Sequence, residues 1–303
     1  MNESLEPLRH YVQFLRERQG VREIKLSRAA RQGLARLAAA VKAAPTAVMP
    51  TSTARQTAVS AAPISRSPVS STAAKSPVTA APVAPAKAEP VMEISGANKV
   101  EQLKHLSERA AVCMKCPHLA ARRHTVVFGV GTPDAQLMFV GEGPGEDEDL
   151  KGEPFVGRAG QLLTKMIAAM GLTREQVYIG NVLKCRPDMP PGASGNRKPT
   201  REEMETCLPY LRAQIDIIKP KVIVGLGATA LEGLLGKVSP ISRLRGSFLD
   251  YRGIPLMPTF HPSYLLRNQS NTEKRKVWED LLQVMERLEM PISEKQRGYF
   301  LAK

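Results

Sequence analysis

The stretch from Leu137 to Gly160, LMFVGEGPGEDEDLKGEPFVGRAG, sets the terms for the rest of the chain. Leu137-Met138-Phe139-Val140 is a short apolar run of the kind that makes a buried strand. Gly141-Glu142-Gly143-Pro144-Gly145 then breaks into a turn too glycine-rich for helix or strand, and Pro154-Phe155-Val156-Gly157 leads into a helical pattern. A strand that ends in a glycine loop and returns as a helix is the unit from which open α/β sheets build their sites. The bare backbone of such a loop lets a substrate approach, and its exposed N–H groups can hold an anion or a base edge. The loop fits neither the G-x-x-x-x-G-K-[ST] nor the G-x-G-x-x-G phosphate-binding pattern. Taken alone, it also fits a tight connection that binds nothing, with Phe155 an ordinary core aromatic.

The remainder of the chain repeats this unit. Strand-like runs occur at 125–130, 177–183, 221–226, 246–251 and 255–259, and helical patterns at 99–111, 160–170, 200–219, 228–235 and 272–288. Thr200 with Glu203 three residues on is a capping-box pattern. Strands alternating with helices imply an α/β fold with a mostly parallel sheet covered on both faces. Ahead of it, residues 1–43 carry apolar positions at helical spacing among many arginines, a short helical segment. Residues 44–97 turn to Ala, Pro, Ser, Thr and Val without apolar periodicity, so they cannot bury enough surface to offset their ordering entropy. They read as a disordered linker. The globular part is expected over 98–290, followed by a C-terminal tail at 291–303.

Lys plus Arg is 43 against 29 for Asp plus Glu, a formal net charge of +14, which suits a polyanionic partner such as nucleic acid, or simply a soluble protein with a basic tail. No apolar run is long enough to cross a bilayer, and the N-terminus lacks the pattern of a signal peptide, so the expected place is the cytoplasm and no membrane partner is expected. In a reducing compartment the four cysteines are better explained as metal ligands or buried thiols than as disulfides. Cys113 and Cys116 form a C-x-x-C pair, with Cys185 at a strand end and Cys207 inside a helical pattern. Four thiolates can hold zinc or an iron–sulfur cluster, and spacing does not separate the two.

GEGPGEDED with PFVGRAG behind it, YIGNVLKCRP, and HPSYLLR together resemble the motifs of the family 4 uracil-DNA glycosylases, the iron–sulfur members of their superfamily. The resemblance covers about Asn98 to Met290. It implies a three-layer α/β/α sandwich with a four-stranded, mainly parallel central sheet, and hydrolysis of the bond between uracil and deoxyribose. It also implies a [4Fe–4S] cluster on Cys113, Cys116, Cys185 and Cys207. The loop DMPPGASGNRKPT between the last two cysteines is longer than the family pattern. The inserted basic segment of a related branch that stays covalently bound to DNA has no equivalent ahead of the HPS motif, which favours ordinary turnover.

By the same resemblance, Phe155 stacks on the flipped uracil, Gly143 lies in the turn against the base, and Asn181 reads the base edge. Glu148 stands where thymine is excluded near C5. His261 stabilises the departing uracil through O2, and Glu142 orients water or steadies a cationic sugar. Ser263 meets a phosphate, and Arg267 presses on the duplex. The implied partner is uracil-containing DNA. The protein is expected to act as a monomer, with residues 1–43 available to a protein partner. The rival reading is a four-cysteine DNA-binding module without turnover, which needs the cysteines and the charge but not Glu142, Phe155, Asn181 and His261 together.

Overall fold

The computed structural model describes residues 94–187, 195–237 and 239–301. The helical segment expected over 1–43 and nearly all of the linker expected over 44–97 lie outside the described residues, as do residues 188–194 of the long loop before Cys207. The elements begin with α1 (Lys99–Ala111), α2 (Pro117–Ala120), β1 (Val130–Gly131) and β2 (Leu137–Gly141). Then come α3 (Glu146–Lys151), α4 (Arg158–Ala169), β3 (Tyr178–Asn181) and α5 (Arg201–Ile218). β4 (Val222–Leu226), α6 (Ala228–Leu235), α7 (Ile241–Leu244), β5 (Leu249–Tyr251) and β6 (Ile254–Thr259) follow. Last are α8 (Pro262–Arg267), α9 (Asn271–Arg287) and α10 (Glu294–Arg297).

Local chemistry explains where these elements start and stop. Asn98 caps α1 by accepting from the Glu101 amide, and Leu103, Leu106 and Ala110 form its buried stripe. Thr200 and Glu203 form the expected capping box on α5. Every residue of β2 and β4 is buried, the signature of strands covered on both faces.

The sheet order is β1-β3-β2-β4-β6-β5. Its inner four strands, β3, β2, β4 and β6, are parallel. The expected four-stranded sheet is this parallel core, and the short antiparallel β1 and β5 extend it to six. The expected strand at 125–130 shrinks to Val130–Gly131, because Gly129 and Gly131 adopt positive φ and break the extended path.

Two apolar layers flank the sheet, as the α/β/α expectation requires. Met138, Val140, Tyr178 and Ile223 pack under α1, α5 and α6 on one face. Phe139, Ile179, Val224 and Met257 pack under α4 and α9 on the other. Among the described residues no helix is long and apolar enough to cross a membrane. The stretch expected as a tail is docked: Trp278 Nε1 donates to the Gln296 carbonyl at 2.6 Å, and Gln296 Nε2 donates to the Ala169 carbonyl at 2.9 Å.

The chain adds β3 on one side of β2 and then β4 on the other. Such a reversal opens a crevice beyond the carboxyl ends of the strands. Each parallel strand delivers a residue there: β2 ends at Gly141, β3 at Asn181, β4 at Leu226 before Gly227, and β6 at Thr259 before His261.

Candidate active site

Gly141 and Asn181 are register partners at the ends of β2 and β3. A Cβ on Gly141 would collide with both Asn181 Oδ1 and the Phe155 ring, so the missing side chain is what lets these two groups converge. Asn181 is 2% exposed, and its Oδ1 is buried without a hydrogen-bond partner. An unsatisfied buried acceptor costs about 1–3 kcal/mol, a cost that a donor from a bound ligand or water would offset.

Phe155 is buried, with φ at 55°, left-handed backbone that costs a non-glycine residue on the order of 1–2 kcal/mol. Its ring lies 5.7 Å from that of His261, tilted by 32°. Gly160 permits the turn, since a Cβ there would overlap the Phe155 carbonyl.

His261 caps the N-terminus of α8. Its Nδ1 accepts from the Ser263 backbone N–H at 3.1 Å and lies 2.8 Å from Ser263 Oγ. A backbone N–H can only donate, so Nδ1 is unprotonated and the ring proton of the neutral imidazole sits on Nε2. Burial, with the Arg267 charge adding to it, lowers the His261 pKa to about 4. The group is therefore a neutral N–H donor beside an aromatic face. Ser263 donates its hydroxyl proton to this imidazole. Arg267 is exposed at the end of α8.

Glu142, just beyond β2, is raised in pKa by burial, against which a hydrogen bond from Thr229 holds it down. Gly143 lies against Leu183 and Pro187 with little room for a side chain. Glu148 points its oxygens at backbone: Oε1 accepts from Val156 and Gly157, each at 2.9 Å, and Oε2 from Gly145 at 3.1 Å. It therefore ties the glycine turn to the turn that carries Phe155.

The four cysteines, free of disulfides, line one cavity with Leu119, Arg123, Leu183 and Tyr210. Arg123 Nη1 donates to Cys185 Sγ and the Lys184 amide to Cys207 Sγ, both at 3.3 Å. Burial pushes the Cys207 thiol up to about 12 and raises Cys185 and Cys116 as well, outweighing the Lys184 and Arg123 contacts that favour the thiolates. Among the described residues no three His, Cys, Asp or Glu side chains meet closely enough to chelate one ion.

Several residues of the site had no mark in the sequence. Lys184 is fully buried, donating to the Asn181 carbonyl at 2.9 Å and to Gln214 Oε1 at 2.5 Å. Thr259, just ahead of His261, donates to Asp280 at 2.7 Å, and Asp280 pairs with Arg245 at 2.8 Å. Apart from the Lys184–Asn181 bond, these contacts cross more than twenty residues, so no local spacing announces them.

A model of the family described as Uracil DNA glycosylase superfamily matches residues 128–282. A Type-4 uracil-DNA glycosylase of Thermotoga maritima is 51% identical over 183 residues, covering 60% of this chain and 92% of that protein. A Type-4 uracil-DNA glycosylase of Sulfurisphaera tokodaii is 40% identical over 211 residues, covering 67% of this chain and 91% of its own length. One from Archaeoglobus fulgidus is 40% identical over 193 residues, 59% of this chain and 94% of that protein.

Proposed function

The chain belongs to the uracil-DNA glycosylase superfamily, and from that premise we propose how its residues excise uracil from DNA. The reaction hydrolyses the N-glycosidic bond, releasing uracil and leaving an abasic site for repair. The base must leave the helix to be reached, so the crevice at the strand ends has to hold a flipped nucleotide. The observation that carries the assignment is the unsatisfied Asn181 Oδ1, buried beside Phe155. That oxygen accepts from uracil N3–H, and the amide N–H₂ donates to O4. Cytosine presents the reverse pattern and leaves both groups unpaired. Phe155 supplies the stacking face.

His261 donates from Nε2 to uracil O2 as negative charge develops there. A neutral donor held in place before reaction is the kind of preorganised help that lowers such barriers most. Glu142, ionised, steadies the cationic sugar or orients the water that attacks it. Arg267 meets the DNA backbone from the end of α8. The expected experiment is simple: a uracil-containing oligonucleotide, incubated with protein and then alkali, breaks at the uracil. An intact strand, with protein bound to it, would favour the binding-module reading.

We assign a [4Fe–4S] cluster to Cys113, Cys116, Cys185 and Cys207. Supporting this are the cavity the four thiols share and the two N–H···S donors, which are typical partners of cluster sulfurs. A single zinc would draw four sulfurs to within about 4 Å of one another, whereas a cluster takes one thiolate per iron. When bound, such a group supplies a rigid cross-link between α2, β3 and α5. Purified protein is expected to be brown, with about four irons and four labile sulfides per chain. Cys185→Ala should lose the colour and melt at lower temperature. A colourless, fully folded protein containing zinc alone would overturn the assignment. A cytoplasmic place and a partner for residues 1–43 remain part of this reading.

A further inference from the structure

The turn at 154–157 is gripped from both sides. Arg174 donates from Nη2 to the Pro154 carbonyl at 2.8 Å and from Nη1 to the Phe155 carbonyl at 3.2 Å. The same Nη1 lies 3.2 Å from Thr164 Oγ1, which is itself bonded to the Gly160 carbonyl on α4. On the opposite side, Glu148 Oε1 accepts from the amides of Val156 and Gly157. Thus the cation takes the carbonyls, the anion takes the amides, and between them sits the left-handed Phe155.

Without these bonds nothing local favours that backbone. A phenylalanine relaxes to negative φ unless its surroundings over-determine the strained form. Rotating φ at this residue swings the ring, because Cβ turns with the backbone. The ring would then leave the place where it faces His261 and crowds Gly141. Arg174 is half-buried in the short turn ahead of β3, and its hydrogen bonds among the described residues go to Pro154, Phe155 and Thr164.

We propose that Arg174 and Glu148 are positioning residues for base recognition, a charge-complementary clamp that holds Phe155 in the geometry that stacks on the flipped base. The proposal rests on the stacking role given to Phe155 above. It gives Glu148 a second task beside its expected place near C5 and adds a residue that lies outside every motif of the chain.

A double-mutant cycle tests it on the full chain with its cluster. The readouts are the single-turnover excision rate, equilibrium binding to uracil DNA, and the melting temperature. Arg174→Ala is expected to slow excision about tenfold, the scale of a small misplacement of a reacting partner. In a Phe155→Ala background the same change should cost less than about twofold, because the group it positions is gone. Glu148→Ala should follow the same pattern. Arg174→Lys, which keeps the charge but not the fork, should recover part of the loss. If Arg174→Ala does not fold, Arg174→Gln carries the cycle, since its amide still reaches one carbonyl. Multiplying losses of Arg174 and Phe155, or an unchanged rate for Arg174→Ala, would overturn the clamp while leaving the stacking role intact. A wild-type rate for Phe155→Ala would overturn the stacking role and the clamp with it.

Discussion

Replacing Asn181 by alanine is expected to slow single-turnover excision of uracil a hundredfold or more. The expectation comes from the two uracil edge groups that the variant leaves unpaired inside a desolvated crevice. Each such group costs on the order of 1–3 kcal/mol, and about 1.4 kcal/mol is a factor of ten in rate. The loss should not come from the scaffold. Among the described residues Asn181 makes no side-chain hydrogen bond, its Oδ1 is unsatisfied, and its backbone remains paired with Gly141. Removing the amide even relieves the protein of a buried unpaired acceptor, so the melting temperature should hold or rise slightly. A near-wild-type rate for Asn181→Ala would remove the edge-reader role. A large fall in melting temperature would place Asn181 among the structural residues instead.

His261→Ala is expected to cost about a hundredfold to a thousandfold in rate, the range for removing one preorganised donor from a developing anion. Binding should survive better than turnover, because the bond to O2 strengthens only as the uracil becomes anionic. Equal losses in binding and rate would mean that His261 builds the pocket instead. The pH dependence separates His261 from Glu142. With its pKa lowered to about 4, His261 stays neutral while an ordinary histidine would charge, so acidification from 7 to 5 does not change its protonation. Burial raises the Glu142 pKa, so an acid limb of the rate profile belongs to Glu142, and Glu142→Gln should remove it along with most of the activity. The sign for stability is fixed by the same shift. Below about 6.5 the unfolded chain takes up a proton that the folded His261 refuses, so its contribution is complete above that pH and is lost as pH falls toward 4. His261→Ala should flatten that part of the pH–stability curve.

The sheet and its crevice were legible because their signals are local. An apolar run, a glycine turn, a capping box and a C-x-x-C pair each occupy a few consecutive residues, and Gly141, Asn181 and His261 fall at strand ends for that reason. What escaped is non-local or contextual. Arg174 serves Phe155 from 19 residues away, and Arg245 reaches Asp280 across 35. The sequence places Glu148 and Ser263 near the site by resemblance, while their hydrogen-bond partners, backbone amides and an imidazole, are not specified by residue type alone. The docked residues after Met290 escaped because their capping box at Ser293 and Gln296 encloses a single turn without apolar periodicity.

The edges of the sheet have a consequence of their own. An open parallel core would expose unpaired N–H and C=O groups along β3 and β6, a template onto which a second chain can add. Here β1, two residues long, and β5, three residues long, occupy those positions in the antiparallel sense. β1 ends in a glycine at positive φ, which turns the strand out of line before it can extend. What is left at either rim is too short to seed a ladder between molecules. An enzyme that acts on DNA can therefore sit beside its copies on the same strand without their sheets joining edge to edge.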